Sequence, residues 1–294
     1  MERKLKGGII INRFLRPKES VLQAEKMQKA FLSLGVDTDV VSDGYLHALI
    51  TDNKTACDFN YDFVLYLDKD KYLAQMIENR GIRLFNSYKS IDVCSDKAQT
   101  YITLCKHGVP VPKTMFAPLS YMKDDKYTEE DYSGIEKNFS YPMIIKECYG
   151  SKGLTVHLVN NRCELESVLE ELKNKPFLLQ EYLGRYKGVD IRVIVIGGKV
   201  VSAIKRQNKN DFRSNVALGG VGEKIELNKD FKALSERVAN LLGLDYCGID
   251  IFIDEFNKPV ICEVNSNAFF EETEKVKGIN IASLYAKHII NSIK

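Results

Sequence analysis

Residues 248–265, GIDIFIDEFNKPVICEVN, contain two apolar runs on either side of a short polar segment, a pattern typical of a β-hairpin. With the turn centred on Phe256 and Asn257, the side chains alternate between two faces and Asp250 lies opposite Glu263. Two facing carboxylates destabilise a strand pair by roughly 0.2 to 1 kcal/mol unless a cation lies between them. The hairpin therefore constrains the fold to an antiparallel pair that accommodates two acids on one face.

The same register places Phe252 opposite Ile261, and Asn265 one step beyond the two acids on their face. Two carboxylates and one amide oxygen suit a hard divalent ion, and Mg²⁺ typically binds one or two carboxylates together with substrate phosphates. This pattern predicts half of a nucleotide site. A solvated acidic face on an edge hairpin explains the two acids equally well.

Composition limits the classes of protein to consider. The chain has 294 residues, of which 45% are hydrophobic, enough for two or three compact units. Its 42 basic and 40 acidic residues give a net charge of +2, which indicates neither a nucleic-acid partner nor a membrane surface. No apolar run is long enough to cross a membrane, and residues 9–11 are too short for a secretory signal. The seven cysteines are scattered without CxxC spacing, so we expect a reduced, cytoplasmic protein without a zinc site.

Short apolar runs and helical patterns alternate in the N-terminal part of the chain, which predicts βαβ units around a parallel sheet. The predicted strands are residues 8–11, 39–41, 63–67 and 82–85, and the predicted helices are residues 19–34 and 72–80. The pattern changes near residues 88–95. We therefore expect a small α/β domain over residues 1–92.

The rest of the chain favours an α+β arrangement. A helix is predicted to begin at Ser95, to run through Lys106 and to end at Gly108. Residues 120–140 are charged and poorly periodic, which indicates a surface loop. The predicted strands are residues 143–146, 154–159, 177–182, 190–196 and 199–204, and the predicted helices are residues 163–172, 230–242 and 279–293. We divide this part into a central unit, residues 93–185, and a C-terminal unit, residues 186–294.

Two lysines stand where a cation is unfavourable. Lys97 lies in the first turn of its helix, where the helix dipole disfavours a cation by roughly 0.3 to 1 kcal/mol, so either a bound anion or exposure to water is expected. Lys146 follows an apolar run at a strand end, and lysines are rarely buried without a partner. The next segment, Gly150-Ser151-Lys152-Gly153, is either a turn whose N–H groups fold over phosphate oxygens or an ordinary hairpin turn.

The segment Gln180-Glu181-Tyr182-Leu183 ends a predicted strand and leads through two glycines into the next one. An extended segment of this kind can bind a purine through its backbone, and Asp190 can then accept a hydrogen bond from a ribose hydroxyl. Alternatively, a two-residue Gly197-Gly198 turn sets Asp190 opposite Lys205 as a cross-strand ion pair. Both interpretations of Asp190 stay open.

The loop 211–220, DFRSNVALGG, combines a forked cation, a hydroxyl and an amide: Arg213, Ser214 and Asn215. A guanidinium group suits a phosphate or carboxylate that it binds through two hydrogen bonds. With Arg206 upstream, the loop can stabilise negative charge on a phosphorylated intermediate.

These motifs occur in one order. DFRSN at 211–215 with the following Gly219-Gly220, QEY at 180–182 with GVDIR at 188–192, and GIDIF…EVN ending at Asn265 resemble the RimK-like glutamate ligases of the ATP-grasp superfamily. The resemblance covers roughly residues 87–294, and the N-terminal unit looks like the small α/β domain that precedes the ATP-grasp fold in that superfamily. The resemblance implies an α/β protein with an ATP-grasp fold that uses ATP and Mg²⁺, with Mn²⁺ as a substitute metal.

Roles follow from the resemblance residue by residue. The residues implied to contact the phosphates of ATP are Lys97, Lys146, Gly150, Ser151 and Gly153. Those implied to lie at the adenine and the ribose are Glu181, Tyr182 and Asp190. Those implied to face the transferred phosphate are Arg213, Ser214 and Asn215, with Arg213 and Arg206 as catalytic cations. Those implied to hold the metal are Asp250, Glu263 and Asn265.

The chain departs from the ribosomal-protein glutamate ligases directly after the implied metal residues. It has Asn265-Ser266-Asn267-Ala268-Phe269-Phe270 where that group has Asn-Ala-Ser-Pro-Gly-Leu. We therefore expect a different reaction partner: an amino acid such as glutamate, or another amine, joined to a carboxylate of a peptide, a carrier protein or a small molecule. Phe269 and Phe270 either line the acceptor pocket or pack the closing helix against the sheet.

The implied reaction transfers the γ-phosphoryl group of ATP to a substrate carboxylate, and an amine then attacks the acyl phosphate. Two alternatives fit the same residues: a non-catalytic, ATP-binding regulatory or scaffold protein, and a kinase that stops at the acyl phosphate. Neither a nucleic acid nor a membrane is expected as a partner. Assembly as a homo-oligomer stays open.

Overall fold

The structure is a computed structural model that describes residues 4–14, 18–42, 49–56, 59–122, 124–184 and 187–293. The described cysteines are free thiols, and Cys57, which belongs to the set predicted to be unpaired, lies outside these residues. Among the described helices, none is long and apolar enough to span a membrane.

The helices and strands follow the predicted order closely. The helices are α1 (Lys18–Ser33), α2 (Lys71–Asn79), α3 (Tyr88–Ser95), α4 (Lys97–Lys106), α5 (Glu129–Asn138), α6 (Arg162–Leu172), α7 (Lys229–Leu241), α8 (Glu271–Lys277) and α9 (Ile281–Ile293). The strands are β1 (Lys6–Ile11), β2 (Asp37–Ser42), β3 (Leu49–Thr51), β4 (Lys54–Ala56), β5 (Phe63–Leu67), β6 (Arg83–Phe85), β7 (Thr114–Phe116), β8 (Met143–Glu147), β9 (Val156–Val159), β10 (Phe177–Glu181), β11 (Val189–Ile196), β12 (Lys199–Gln207), β13 (Val221–Lys224), β14 (Tyr246–Ile253) and β15 (Pro259–Asn265).

The N-terminal sheet is parallel, as predicted, with the strand order β2-β1-β5-β6. Strand β5 is buried along its whole length, as a strand covered on both faces must be. Helices α1 and α9 pack on one face through residues such as Phe31, and α2 packs on the other through Ile77. The carboxyl ends of β1 and β5 lie side by side, and Asn12 donates a hydrogen bond of 3.0 Å to Asp68 there.

A second sheet, β7-β10-β8-β9, is antiparallel and is covered by α5 and α6. The prediction of a surface loop over residues 120–140 is wrong for α5. Thr128 and Asp131 form a capping box at its start, and Ile135 with Phe139 fills the core under it. Only these two positions are buried, so the apolar period is too weak to mark a helix in the sequence.

The third sheet has the order β13-β12-β11-β14-β15 and is antiparallel throughout. The predicted two-residue turn is present, with φ of +56° at Gly197 and +71° at Gly198, which only glycine adopts without strain. Helix α7 covers one face of the sheet. The opposite face carries apolar residues that pack against α1 and α9 at one end, and a row of charges at the other.

Two predicted boundaries need adjustment. Asp96, rather than Ser95, caps the helix that leads to Lys106, because the Asp96 carboxylate accepts hydrogen bonds from the N–H groups of Ala98 and Gln99. The region expected to separate two domains, residues 88–95, is itself helix α3. The division into units 1–92, 93–185 and 186–294 stays a prediction.

Candidate active site

A row of alternating charges crosses the charged face of the third sheet. Register places Arg206 on β12 opposite Asp190 on β11, Arg192 opposite Asp250 on β14, and Asp250 opposite Glu263 on β15. The predicted pairing of the two acids is therefore confirmed. Arginines from the neighbouring strands pair with Asp250 and so reduce its repulsion with Glu263. The hairpin sequence alone does not predict these arginines.

The arginines hold the buried acids through charge-assisted hydrogen bonds. Arg206 forms a bidentate pair with Asp190 and lies 3.0 Å from Asp250, and Arg192 forms a bidentate pair with Asp250. Burial acts to raise the pKa of Asp250, but the two guanidinium groups outweigh it and hold this pKa below its usual range. Asp250 therefore stays ionised in the folded protein.

Two sequence-derived partners are wrong because each strand pair contains a bulge. A bulge between Ile194 and Val195 shifts the register, so Asp190 faces Arg206 and not Lys205. A second irregularity after Asp250 places Phe252 opposite Val260 instead of Ile261. The apolar alternation on either side of a bulge does not reveal the extra residue, so the sequence does not predict the shift in register.

A first cavity lies between the second and third sheets. Its lining contains every residue that the sequence implies for ATP, the transferred phosphate or the metal, except Arg206 and Asn265. Its apolar lining includes Ile144, Val156, Leu183, Phe212 and Phe252. A cavity lined by apolar side chains together with several charges suits a nucleotide, whose base can lie among the apolar side chains.

Lys97 and Lys146 reach the first cavity from different elements. Lys97 donates to the carbonyl oxygen of Gly150 (3.1 Å) and lies 3.6 Å from Glu263. Lys146 is 6% exposed, and its ammonium donates a hydrogen bond of 2.8 Å to the Tyr101 hydroxyl. Burial lowers the pKa of Lys146, so a bound anion would offset the cost of its charge.

Burial also acts to raise the pKa of Glu263, but the ammonium group of Lys97, with smaller contributions from Lys69 and Lys146, lowers it below its usual range. Glu263 is therefore a carboxylate surrounded by lysines. Lys69 and Tyr101 also belong to this surrounding, Lys69 through its charge and Tyr101 through its hydrogen bond to Lys146. Both lie in regions without a chemical motif, so the sequence gives no signal for them.

The 150–153 turn and the 211–215 loop are joined. Arg213 donates to the carbonyl oxygen of Gly153 at 2.7 Å and forms a bidentate pair with Asp211, and that pair lowers the pKa of Asp211. Gly153 has a φ of +73°, and a Cβ at this position would lie 2.8 Å from the Asn215 amide oxygen. Glycine is therefore required here for close packing as well as for backbone conformation.

The residues proposed at the adenine lie at the end of β10. The Glu181 carboxylate accepts a hydrogen bond of 2.7 Å from the Lys113 N–H, and the Tyr182 ring meets the Phe212 ring edge-on at 6.4 Å. Within the described residues, the buried Tyr182 hydroxyl has no hydrogen-bond partner. An orphaned polar atom beside a cavity is one that a bound molecule can satisfy.

A second cavity, of about 450 Å³, lies where the carboxyl ends of β1 and β5 face the third sheet. Ser151, Asn215 and Glu263 line both cavities, so the two share a wall. Asn265 and Arg206 line only the second cavity. A ligand in one cavity thus has its polar end beside a ligand in the other.

The two adjacent phenylalanines have different environments. Phe270 is 2% exposed and packs edge-on against Tyr246 with the centroids 6.3 Å apart, so it belongs to the core. Phe269 lines the second cavity, and the Lys152 ammonium lies 5.8 Å from its ring centroid. The pocket interpretation thus suits Phe269, and the packing interpretation suits Phe270.

The fit of a divalent ion depends on the lone pairs left free. Asp250 Oδ2 accepts from both arginines, whereas Oδ1 accepts only from Arg192, which leaves one lone pair on Oδ1. Glu263 and Asn265 alternate on the next strand and add a carboxylate and an amide oxygen. No cluster of three or more His, Cys, Asp or Glu side chains arranged for a metal occurs in the described ranges. Asp250, Glu263 and Asn265 offer two carboxylates and one amide, a set of oxygen donors of the kind that Mg²⁺ accepts.

Comparison with known proteins gives the class. The fold matches a crystal structure of a RimK domain ATP-grasp protein from Sphaerobacter thermophilus with a TM-score of 0.75 over 96% of this chain and 98% of the other, at 17% identity. The architecture is therefore that of an ATP-grasp protein, as the sequence predicts.

The model of the RimK-like ATP-grasp domain matches residues 94–293, and the chain belongs to this family. Human N-acetylaspartylglutamate synthase A is 32% identical over 76% of this chain, an alignment that spans 56% of the human protein. A probable alpha-L-glutamate ligase 2 from Pseudoalteromonas atlantica is 29% identical over 94% of both chains. The predicted family is confirmed, and the chain is an ATP-dependent ligase of the class that forms C–N bonds.

Proposed function

We propose that this protein is a Mg²⁺-dependent carboxylate–amine ligase that works through an acyl phosphate and adds an amino acid such as glutamate to a peptide or small-molecule carboxylate. The observation that carries the proposal is the pair of cavities that share Ser151, Asn215 and Glu263. A phosphoryl group at the end of a nucleotide in the first cavity then lies beside a carboxylate in the second. Transfer between two bound substrates needs this adjacency.

ATP would occupy the first cavity. The base fits among the apolar residues near Tyr182, and the phosphates fit beside Lys97, Lys146 and the 150–153 turn. The ribose would lie near Asp190, whose carboxylate is already paired with Arg206. Asp190 would thus be a ribose contact and also a member of an ion pair, with Arg206 in place of the predicted Lys205.

Asp250, Glu263 and Asn265 would hold Mg²⁺, and Mn²⁺ accepts the same oxygen donors. When bound, the ion supplies charge neutralisation for the phosphates. Arg213 would hold a transferred phosphoryl oxygen through hydrogen bonds, because its guanidinium group lies in the wall of the first cavity and is oriented by Asp211. Arg206 would act at longer range, through the charge of the buried row.

The proposed reaction proceeds in two steps. A carboxylate oxygen of the substrate attacks the γ-phosphorus, the bond from that phosphorus to the β,γ-bridging oxygen breaks, and ADP leaves. The amine nitrogen then attacks the acyl carbon, phosphate leaves with the C–O bonding electrons, and the amine loses a proton as the amide forms. The part of the protein is to orient both substrates and neutralise charge.

The acceptor is proposed to differ from a ribosomal-protein tail. The loop after Asn265 lacks the Pro-Gly turn of the ribosomal-protein ligases and places Phe269 in the second cavity. A relative of this chain is named for N-acetylaspartylglutamate synthesis, which supports a small carboxylate as the acceptor. Carrier-protein carboxylates form a further class to test.

The test is an ADP-release screen of amino acids with peptide and small-molecule carboxylates, with mass spectrometry of the product. Glu263→Gln should abolish turnover and the Mg²⁺ dependence, whereas Glu255→Gln, an exposed acid on the same hairpin, should leave both unchanged. Ligation at the parental rate by Glu263→Gln would refute the metal assignment. Hydroxylamine trapping without any amide product would indicate a carboxylate kinase, and ATP binding without ADP release would indicate a regulatory protein.

A further inference from the structure

Lys69 follows strand β5, at the carboxyl end of the parallel sheet, and lines the second cavity. The preceding residue, Asp68, accepts a hydrogen bond from Asn12 and another from the Lys69 N–H, which fix the turn. Ligands of open α/β sheets bind at the carboxyl ends of their strands. The half-buried Lys69 side chain thus lies where such a sheet presents its binding residues.

Lys69 is an unmatched cation. Within the described part of the chain, no carboxylate lies within 4 Å of its ammonium, whereas Arg192 pairs with Asp250, Arg206 with Asp190, and Lys97 with Glu263. Burial lowers the pKa of Lys69; the Glu263 carboxylate acts against this, and the nearby Lys97 ammonium adds to it. One carboxylate, Glu263, thus faces the ammonium groups of Lys97, Lys69 and Lys146.

Anion chemistry differs between the two cavities. Lys97 and Lys146 line the first cavity, where the phosphates of a nucleotide would neutralise them. Lys69 lines only the second cavity. A phosphate that is satisfied by Lys97 and Lys146 leaves Lys69 for a different anion.

We propose that Lys69 binds a carboxylate group of the substrate in the second cavity and thereby selects anionic over neutral substrates; this rests on the proposed ligase function. The ammonium supplies donors to carboxylate oxygens, and the exchange of water for a charge-assisted hydrogen bond in a half-buried site favours a substrate that carries the charge. Lys69 is a binding residue and takes no part in bond formation.

The test compares Lys69→Gln with Lys275→Gln, a neutralised lysine at the exposed rim of the same cavity. Calorimetry with Mg²⁺ and a non-hydrolysable ATP analogue measures the Kd of L-glutamate, N-acetyl-L-aspartate and citrate, with trimethyl citrate as an uncharged probe that has no carboxylate. Lys69→Gln should raise the Kd of any carboxylate that binds the parent protein roughly 10- to 100-fold, as loss of a hydrogen bond to a charged group does. Lys275→Gln should leave it unchanged, and Lys69→Arg should restore most of the affinity.

The Kd of the ATP analogue is the internal control, and it should change less than roughly threefold, because Lys69 lies outside the first cavity. An equal loss of affinity for the ATP analogue would overturn the proposal, as would unchanged carboxylate binding by Lys69→Gln or a parent protein that binds none of the three carboxylates. Circular dichroism of Lys69→Gln, with Lys69→Met as a second neutral variant, separates these results from a loss of fold. The ligase proposal fails by a different measurement, the absence of ADP release and product in the acceptor screen.

Discussion

Arg206→Met removes the guanidinium group shared by two buried acids. Asp190 then has no ion-pair partner among the described residues, while Asp250 retains Arg192. The Asp190 and Arg206 side chains are 5% and 6% exposed, so water replaces the lost partner only in part. Breaking a buried pair from one side costs about 3 to 5 kcal/mol, and we expect this loss in the free energy of unfolding.

The matched control is Lys205→Met, one residue earlier on the same strand. Lys205 forms a surface ion pair of 3.2 Å with Glu223, both partly exposed, and such pairs contribute about 0.2 to 1 kcal/mol. The comparison also tests the register directly, because the unbulged strand pair would place Lys205 rather than Arg206 opposite Asp190. A larger loss for Lys205→Met would refute the bulged register.

Urea unfolding at pH 7, followed by circular dichroism, measures both variants. The double variant Asp190→Leu with Arg206→Met removes both charges and should recover most of the loss, since apolar replacement of a whole buried pair is often neutral. A loss below about 1 kcal/mol for Arg206→Met, or no recovery in the double variant, would contradict the reasoning.

Three further predictions follow from the site. Lys146→Met should leave the unfolding free energy of the apo protein unchanged or higher, because burial disfavours the ammonium, yet weaken an ATP analogue about tenfold or more by calorimetry; equal affinity would make Lys146 structural. Phe270→Leu should destabilise the fold by about 1 to 3 kcal/mol in urea, whereas Phe269→Leu should change the acceptor KM instead; the reverse pattern would contradict their assignment. Because the pKa of Glu263 lies below its usual 4.5, its contribution to stability is full above that pH and is lost as the pH falls through the folded-state pKa. The urea midpoint of Glu263→Gln should therefore fall less steeply than that of the parent on acidification, and parallel pH profiles would exclude this contribution.

The acidic hairpin illustrates what local sequence determines. The predicted pairing of Asp250 with Glu263 is confirmed, although the strands reach it through the irregularity after Asp250 and not by the two-residue period alone. The pairs one strand further away are not predictable in this manner. The bulge between Ile194 and Val195 places Arg206, and not Lys205, opposite Asp190. The sequence alone does not distinguish these two adjacent cations.

Elements with few buried residues are similarly hard to predict. Helix α5 has a capping box and one buried residue within its bounds, so its composition is that of a surface loop. The proposed role of Lys69 depends on the meeting of the parallel sheet with the third sheet, which lies more than a hundred positions later in the sequence, and no local pattern predicts that contact. Contacts between elements that are distant in the sequence therefore determine these features, and local sequence motifs do not predict them.

The wall made by Ser151, Asn215 and Glu263 has a thermodynamic consequence. A molecule that orders these side chains from one cavity changes the free energy of binding in the other, and linkage requires the effect to be reciprocal. The factor by which an ATP analogue changes the Kd of a carboxylate must equal the factor by which that carboxylate changes the Kd of the analogue. The sign of this single coupling energy, which resides in three side chains, decides whether the two substrates strengthen or weaken the binding of each other.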